Sequence, residues 1–220
     1  MIKYRLLPLM LVLAVCGLPQ AVSASTILLS DNFNGQNGGT GALNYSGFSN
    51  FNVTKGAVDL IGNGLFDFKP GNGLYVDING TTGKSGTIES KTNFALGIGT
   101  FTLKFDLAGS QRAFSPLDSI TVSLGNLFSQ TFTKAFTDPF QTITITGTNN
   151  SNTTGSLTFG SPIGDGDLAG LLIDNVQLTF DPAGGGTGVA APEPSSVILW
   201  SLGALGFGYY RNRRRETRAA

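Results

Sequence analysis

Carboxylates offer the most chemistry in this sequence. Asp165-Gly166-Asp167 sets two acids on a glycine-rich loop, and Asp174 follows inside the apolar run Leu171 to Phe180. Oxygen-rich loops of this kind hold hard cations, so Asp165, Asp167 and Asp174 are candidate ligands for a structural Ca²⁺. Asp174 shares its parity with Leu172, Val176, Leu178 and Phe180. A regular strand would turn it into the core, where a carboxylate must be paired or bind metal. A bulge at Asp174-Asn175, or a strand starting at Asn175, would bring it to the surface instead. The twelve acids between Thr26 and Asp181 leave paired-carboxylate glycoside cleavage open, although nothing singles out a pair.

Other chemistries are excluded by composition. There is no histidine, which removes Ser-His-Asp and Cys-His catalysis and histidine-ligated zinc. The one cysteine, Cys16, falls in an apolar leader, so the body has no disulfide or thiolate site. No cofactor is required by any motif. The body carries seven bases against twelve acids, a net charge of −5, which argues against a nucleic-acid partner. Sugar platforms use exposed aromatic faces. The only tryptophan, Trp200, lies near the C-terminus, leaving Tyr45 and Tyr75 as candidate sugar-binding residues. Tyr75 opposes Leu74, Val76 and Ile78 in parity, so a strand would turn it away from the core.

The elements that must position these groups are strands. Phe101, Leu103, Phe105 and Leu107 alternate with Thr100, Thr102, Lys104 and Asp106, giving one dry and one wet face. Asp118–Leu124, Phe140–Gly147 and Leu171–Phe180 repeat the pattern, and Thr26–Ser30, Phe51–Thr54, Ala57–Ile61 and Leu74–Ile78 read as shorter strands. Leu157 and Phe159 belong to another. No capped run of helical spacing interrupts them, and Gly/Asn/Pro turns separate them. The pattern predicts an all-β, antiparallel β-sandwich over residues 25–181.

Both ends read as targeting segments. Lys3 and Arg5 precede an apolar stretch from Leu6 to Leu18, and Val22-Ser23-Ala24 supplies small residues, which predicts a signal peptide over 1–24. A glycine-rich linker, 182–191, leads to Pro192-Glu193-Pro194. Ser195 to Tyr210 is uncharged and would reach ~24 Å as a helix, a short span for a ~30 Å bilayer core. Arg211, Arg213, Arg214 and Arg215 then form a membrane stop. By the positive-inside rule they hold the C-terminus in the cytoplasm, with the body on the other side.

Pro192-Glu193-Pro194, the apolar span and the terminal arginines, in that order over 192–215, resemble the PEP-CTERM sorting signal of bacteria. That resemblance implies an exosortase-type membrane protease as partner, and a non-enzymatic, exported envelope or extracellular-matrix protein associated with exopolysaccharide or biofilm. It further implies a transient anchor through the C-terminal helix. Within the body, Leu74–Gly80, Gly86–Ser90, Phe101–Leu107 and Ile173–Leu178 are similar in order to galactose-binding-like jelly rolls. This second resemblance implies a jelly-roll-like sandwich and a carbohydrate-binding module with a structural Ca²⁺. A small glycoside hydrolase using paired carboxylates is the third reading.

Overall fold

The computed structural model describes residues 24–161 and 168–183. Residues 1–23 of the leader, the sorting motif Pro192, Glu193 and Pro194, the apolar span, the arginine stop, Asp165 and Asp167 lie outside the described residues. The strands in chain order are β1 (Thr26–Asp31), β2 (Phe51–Lys55), β3 (Asp59–Gly62), β4 (Leu74–Asp77), β5 (Asn79–Gly80), β6 (Lys84–Ser85), β7 (Thr87–Ser90) and β8 (Phe94–Leu96). They continue as β9 (Gly99–Ala108), β10 (Leu117–Leu124), β11 (Phe128–Ala135), β12 (Gln141–Asn149), β13 (Thr153–Gly155), β14 (Leu157–Gly160) and β15 (Leu172–Pro182).

Two large antiparallel sheets result, beside the two-stranded pairs β13-β8 and β5-β6. One runs β12-β9-β15-β4-β3, with β1 also paired to β15, and the other runs β11-β10-β14-β7-β2. The described residues therefore form an all-β sandwich. Its hydrophobic core follows from the alternation of β9. Phe101, Leu103, Phe105 and Leu107 are buried against Ile88, Ile120, Val122, Leu124, Leu157 and Phe159 of the other sheet. Phe105 meets Phe159 edge-on at 5.2 Å, and Phe159 meets Phe51 at 6.3 Å. Each such ring contributes roughly 1.5–3 kcal/mol on burial. Gly147 makes room for this core, because a Cβ there would lie 2.4 Å from the Phe101 ring across the β12–β9 pair.

Strand β11 escapes the sequence pattern. It pairs with β10 over its full length, placing Phe128, Gln130, Phe132 and Lys134 opposite Leu124, Val122, Ile120 and Asp118. An edge position exposes half of that face, so Gln130 and Lys134 are tolerated where alternation would call for apolar residues.

A second, smaller apolar cluster lies on the outer face of the first sheet. Ile61, Tyr75, Ala108 and Leu172 are buried there beneath Phe68 and Phe140. Phe68 belongs to the β3–β4 connection, which folds back over the sheet instead of leaving it. This cover decides the fate of two residues discussed below.

Candidate functional site

The central strand β15 carries a bulge. Its register with β9 runs Leu172↔Ala108, Ile173↔Leu107 and Asp174↔Asp106, then resumes at Gln177↔Lys104. Asn175 and Val176 thus face one residue, Phe105, and Asn175 takes φ +49°. Asparagine tolerates that left-handed conformation better than branched residues do. The bulge also falls where the other edge of β15 changes partner, from β4 at Leu172 and Ile173 to β1 from Val176 onward.

The extra residue reverses parity along the strand. Val176, Leu178 and Phe180 point into the core, whereas Leu172 and Asp174 share the outer face with Ala108 and Asp106. A regular strand predicts Asp174 in the core, and the bulge corrects this. Yet Asp174 is only 1 % exposed. Its Oδ2 accepts from Asn72 Nδ2 at 3.3 Å, and its Oδ1 from the Asn175 amide at 2.7 Å. Burial pushes its carboxyl up to about 7. The two hydrogen bonds act in the other direction, and the neighbouring charges of Asp106 and Asp31 add to the rise.

Beside the bulge, the outer face forms an open polar groove of about 370 Å³. Ser30, Gln177 and Lys104 form one row across β1, β15 and β9, each on a register partner of the next. Asp106 and Thr142 form a second row, with Thr142 Oγ1 donating to Asp106 Oδ1 at 2.5 Å. Asn175 lies at the rim and donates from Nδ2 to Asp106 Oδ2 at 2.8 Å. Asp31, Asn32 and Val176 close the lining. Asp31 is held by the Phe33 amide, Gln36 and Asn50. This turn places the buried Phe33 at φ +56°, a costly conformation for a bulky residue. Two uncommon backbone conformations therefore frame one groove.

The groove offers hydroxyls, amides, one ammonium and carboxylates from rigid strands. That set hydrogen-bonds a polyhydroxylated ligand, with no ring in the lining to stack on it. Asp106 and Asp174 are cross-strand partners, but Asp174 lies beneath Asn72 and does not line the groove. The pair therefore does not present two carboxylates to one substrate. Among the described residues, no three histidine, cysteine, aspartate or glutamate side chains gather closely enough to hold an ion. Asp174 is the one candidate calcium ligand described, since Asp165 and Asp167 lie outside the described residues.

The two tyrosines do not join the groove. Tyr75 does point away from the main core, as its parity predicts, but it is not exposed. It is fully buried under the returning loop, edge-on to Phe140 at 5.6 Å. Its hydroxyl donates to Asp67 Oδ1 at 3.3 Å and accepts from the Lys69 amide at 3.0 Å, and burial pushes it up to about 12. A buried ring cannot stack on a sugar, so Tyr75 is corrected from a binding to a packing residue. Tyr45 is half-buried, edge-on to Phe48 at 4.8 Å, and likewise lies outside the groove lining.

A second polar cluster has no motif in the sequence to mark it. The buried Asp77 pairs through Oδ2 with Arg112 Nη2 at 2.8 Å, while its Oδ1 accepts from the Asn79 and Gly170 amides. Arg112 also donates from Nη1 to the Leu168 carbonyl and lies 4.8 Å over the Phe68 ring. Four segments are thereby pinned by one guanidinium. Burial outweighs the arginine and pushes Asp77 up to about 7. The available signal was composition, since Arg112 is the single arginine of the body.

No family model matches the chain, and no curated protein does. Among solved structures it is similar to the K3 adhesin domain of Lys-gingipain from Porphyromonas gingivalis, at 13% identity and a TM-score of 0.46, covering 71% of this chain and 99% of that one. It is also similar to TmCBM61 bound to β-1,4-galactotriose, at 15% identity and a TM-score of 0.41, covering 60% and 88%. A CBM29-2 carbohydrate-binding module with cellulohexaose gives 12% identity and a TM-score of 0.38, covering 72% and 92%. Likenesses at this level carry no argument about function, which rests on the residues of this chain.

Proposed function

We propose that the chain is a non-enzymatic, exported carbohydrate-binding module of the cell envelope, with a jelly-roll-like body that contacts exopolysaccharide through the outer-face groove. The observation that carries this reading is the groove lining. Ser30, Asn32, Lys104, Asp106, Thr142, Asn175 and Gln177 converge there from β1, β9, β12 and β15 and the turn after β1. Hydrogen bonds from preorganised strand side chains suit rows of sugar hydroxyls, and the absence of a stacking ring implies modest affinity per site.

The C-terminal features add a route to the surface. The PEP-CTERM-like signal makes the protein a substrate for an exosortase-type protease, anchored transiently by its apolar span. Thr26 pairs with Phe180, so the first and last strands leave the body at one end. The groove at Asn175–Gln177 sits several residues from that end along β15, about 10–15 Å at ~3.3 Å per residue.

The test is titration of the intact protein, in a detergent without a sugar head group, against glycans with and without calcium. Galacto- and gluco-oligosaccharides and native exopolysaccharide are the first ligands. Binding that the paired substitutions Asp106→Asn and Gln177→Ala weaken at least ~10-fold supports the reading. Binding unaffected by them, or no binding to any glycan, rejects the groove.

A further inference from the structure

We infer that β12 is a self-association edge, through which two copies of this chain pair antiparallel across a two-fold axis. Strand β12 ends the first sheet and pairs with β9 through nine consecutive residues without a register shift. Among the described residues no backbone hydrogen bond occupies its far edge. Natural edges are blunted by charge, proline, bulges or cover, because a free row of amides and carbonyls recruits another strand. Gln141–Asn149 has no charged residue, no proline and no bulge.

The rest of the molecule shows what protection looks like. At the opposite end of the same sheet, β3 is covered by the chain before β2, through Ala42 and Leu60 exchanging backbone bonds at 2.8 and 2.9 Å and Tyr45 bonding Val58 at 2.8 Å. The edge strand of the other sheet, β11, carries Lys134, whose Nζ reaches across to Gln141 Oε1 at the first residue of β12 and leaves 142–149 without a charge. Only on β12 do length, neutrality and regular pairing coincide among the described sheet ends.

A second copy fits this edge because the strand is close to self-complementary. A two-fold axis through Ile145 sets Thr144 opposite Thr146, Thr142 opposite Thr148, and Ile143 opposite Gly147. Threonines then meet on the outer face and apolar groups on the inner face, with no like charges opposed. Ile143 and Ile145 are only half-buried in one copy, since the sandwich ends there. Pairing supplies the missing cover. Such an interface is isologous and closes as a dimer. Because the axis is normal to the sheet, both grooves lie on one face, and a long polymer can bridge them. This bridging rests on the glycan reading above; the pairing itself does not.

Sedimentation of the full chain in detergent micelles, from micromolar to near-millimolar concentration, tests the inference. The wild type should show a monomer–dimer equilibrium, and amide exchange in 141–149 should slow as concentration rises. Thr144→Lys with Thr146→Lys places lysines opposite each other on exposed outer positions, and should weaken association at least ~10-fold. A wild type that stays monomeric throughout, or a dimer that the lysines leave unchanged, overturns the inference. So does concentration-dependent protection confined to other segments. Loss of glycan binding with the dimer intact would reject only the groove. A monomer that still binds glycan would reject only the pairing.

Discussion

Replacing Asp174 by asparagine should stabilise the protein at alkaline pH and leave it unchanged in acid. The native carboxyl is pushed from 3.8 up to about 7, chiefly by burial, with Asp106 and Asp31 adding repulsion. Between those values the folded state binds a proton that the unfolded chain has lost, so this group makes stability fall as pH rises. The fall begins near pH 4 and is complete just above pH 7. At ~1.4 kcal/mol per pH unit the interval corresponds to about 4 kcal/mol. Relaxation of the polar groups around the carboxylate, which gives protein interiors an effective dielectric constant of ~20, reduces this to roughly 1–2 kcal/mol. Asparagine keeps an acceptor for the Asn175 amide and presents its own amide to Asn72, whose side chain can turn over to accept. Urea unfolding of both proteins, followed by circular dichroism from pH 4 to 8.5, measures the effect. The difference between the two curves isolates Asp174, because Asp77 and the other acids are common to both proteins. At pH 8 the variant midpoint should rise by about 0.5–1 M urea, and near pH 4 the midpoints should converge. A variant no more stable than wild type at pH 8, or a difference independent of pH, would refute the assignment of a buried, repelled carboxylate.

Other perturbations follow from the same geometry. Arg112→Met leaves Asp77 buried without its cation and should cost about 3–5 kcal/mol, read as a lower melting temperature at pH 8 that partly recovers at pH 5, where Asp77 holds a proton. Asn175→Val forces a branched residue to φ +49° and should cost about 1–2 kcal/mol, whereas Asn175→Gly should keep stability within about 1 kcal/mol while losing the bond to Asp106; urea midpoints separate the two. Pro192→Ala with Glu193→Ala should abolish C-terminal trimming in cells that contain an exosortase, seen as an unprocessed intact mass, and trimming at the wild-type rate would refute recognition of that motif.

The period-two alternation of β9, β10, β12 and the end of β15 was legible because one face of each strand packs on a core and the other does not. Absence of histidine and of any body cysteine bounded the chemistry without coordinates. The strands β8 and β13, and the edge strand β11, were not legible, because short or half-covered strands need not alternate. The candidate site was legible only in fragments. Asp174 attracted notice as an acid in an apolar run, but the sequence could not choose between core and outer face.

Composition and local pattern alone determined an all-β body whose cohesion comes from aliphatic and phenylalanine side chains. They could do so because alternation is a property of one strand and its two faces. Tertiary structure decided where the polar groups went. One extra residue at Asn175 turned Asp174 from the inner face to the outer, a change of parity that depends on pairing with β9. The returning loop with Phe68 and Asn72 then buried both Tyr75 and Asp174 on a face that strand periodicity alone marks as wet. The groove itself joins Ser30, Asp106, Thr142 and Gln177, residues far apart in the chain that only sheet order sets side by side.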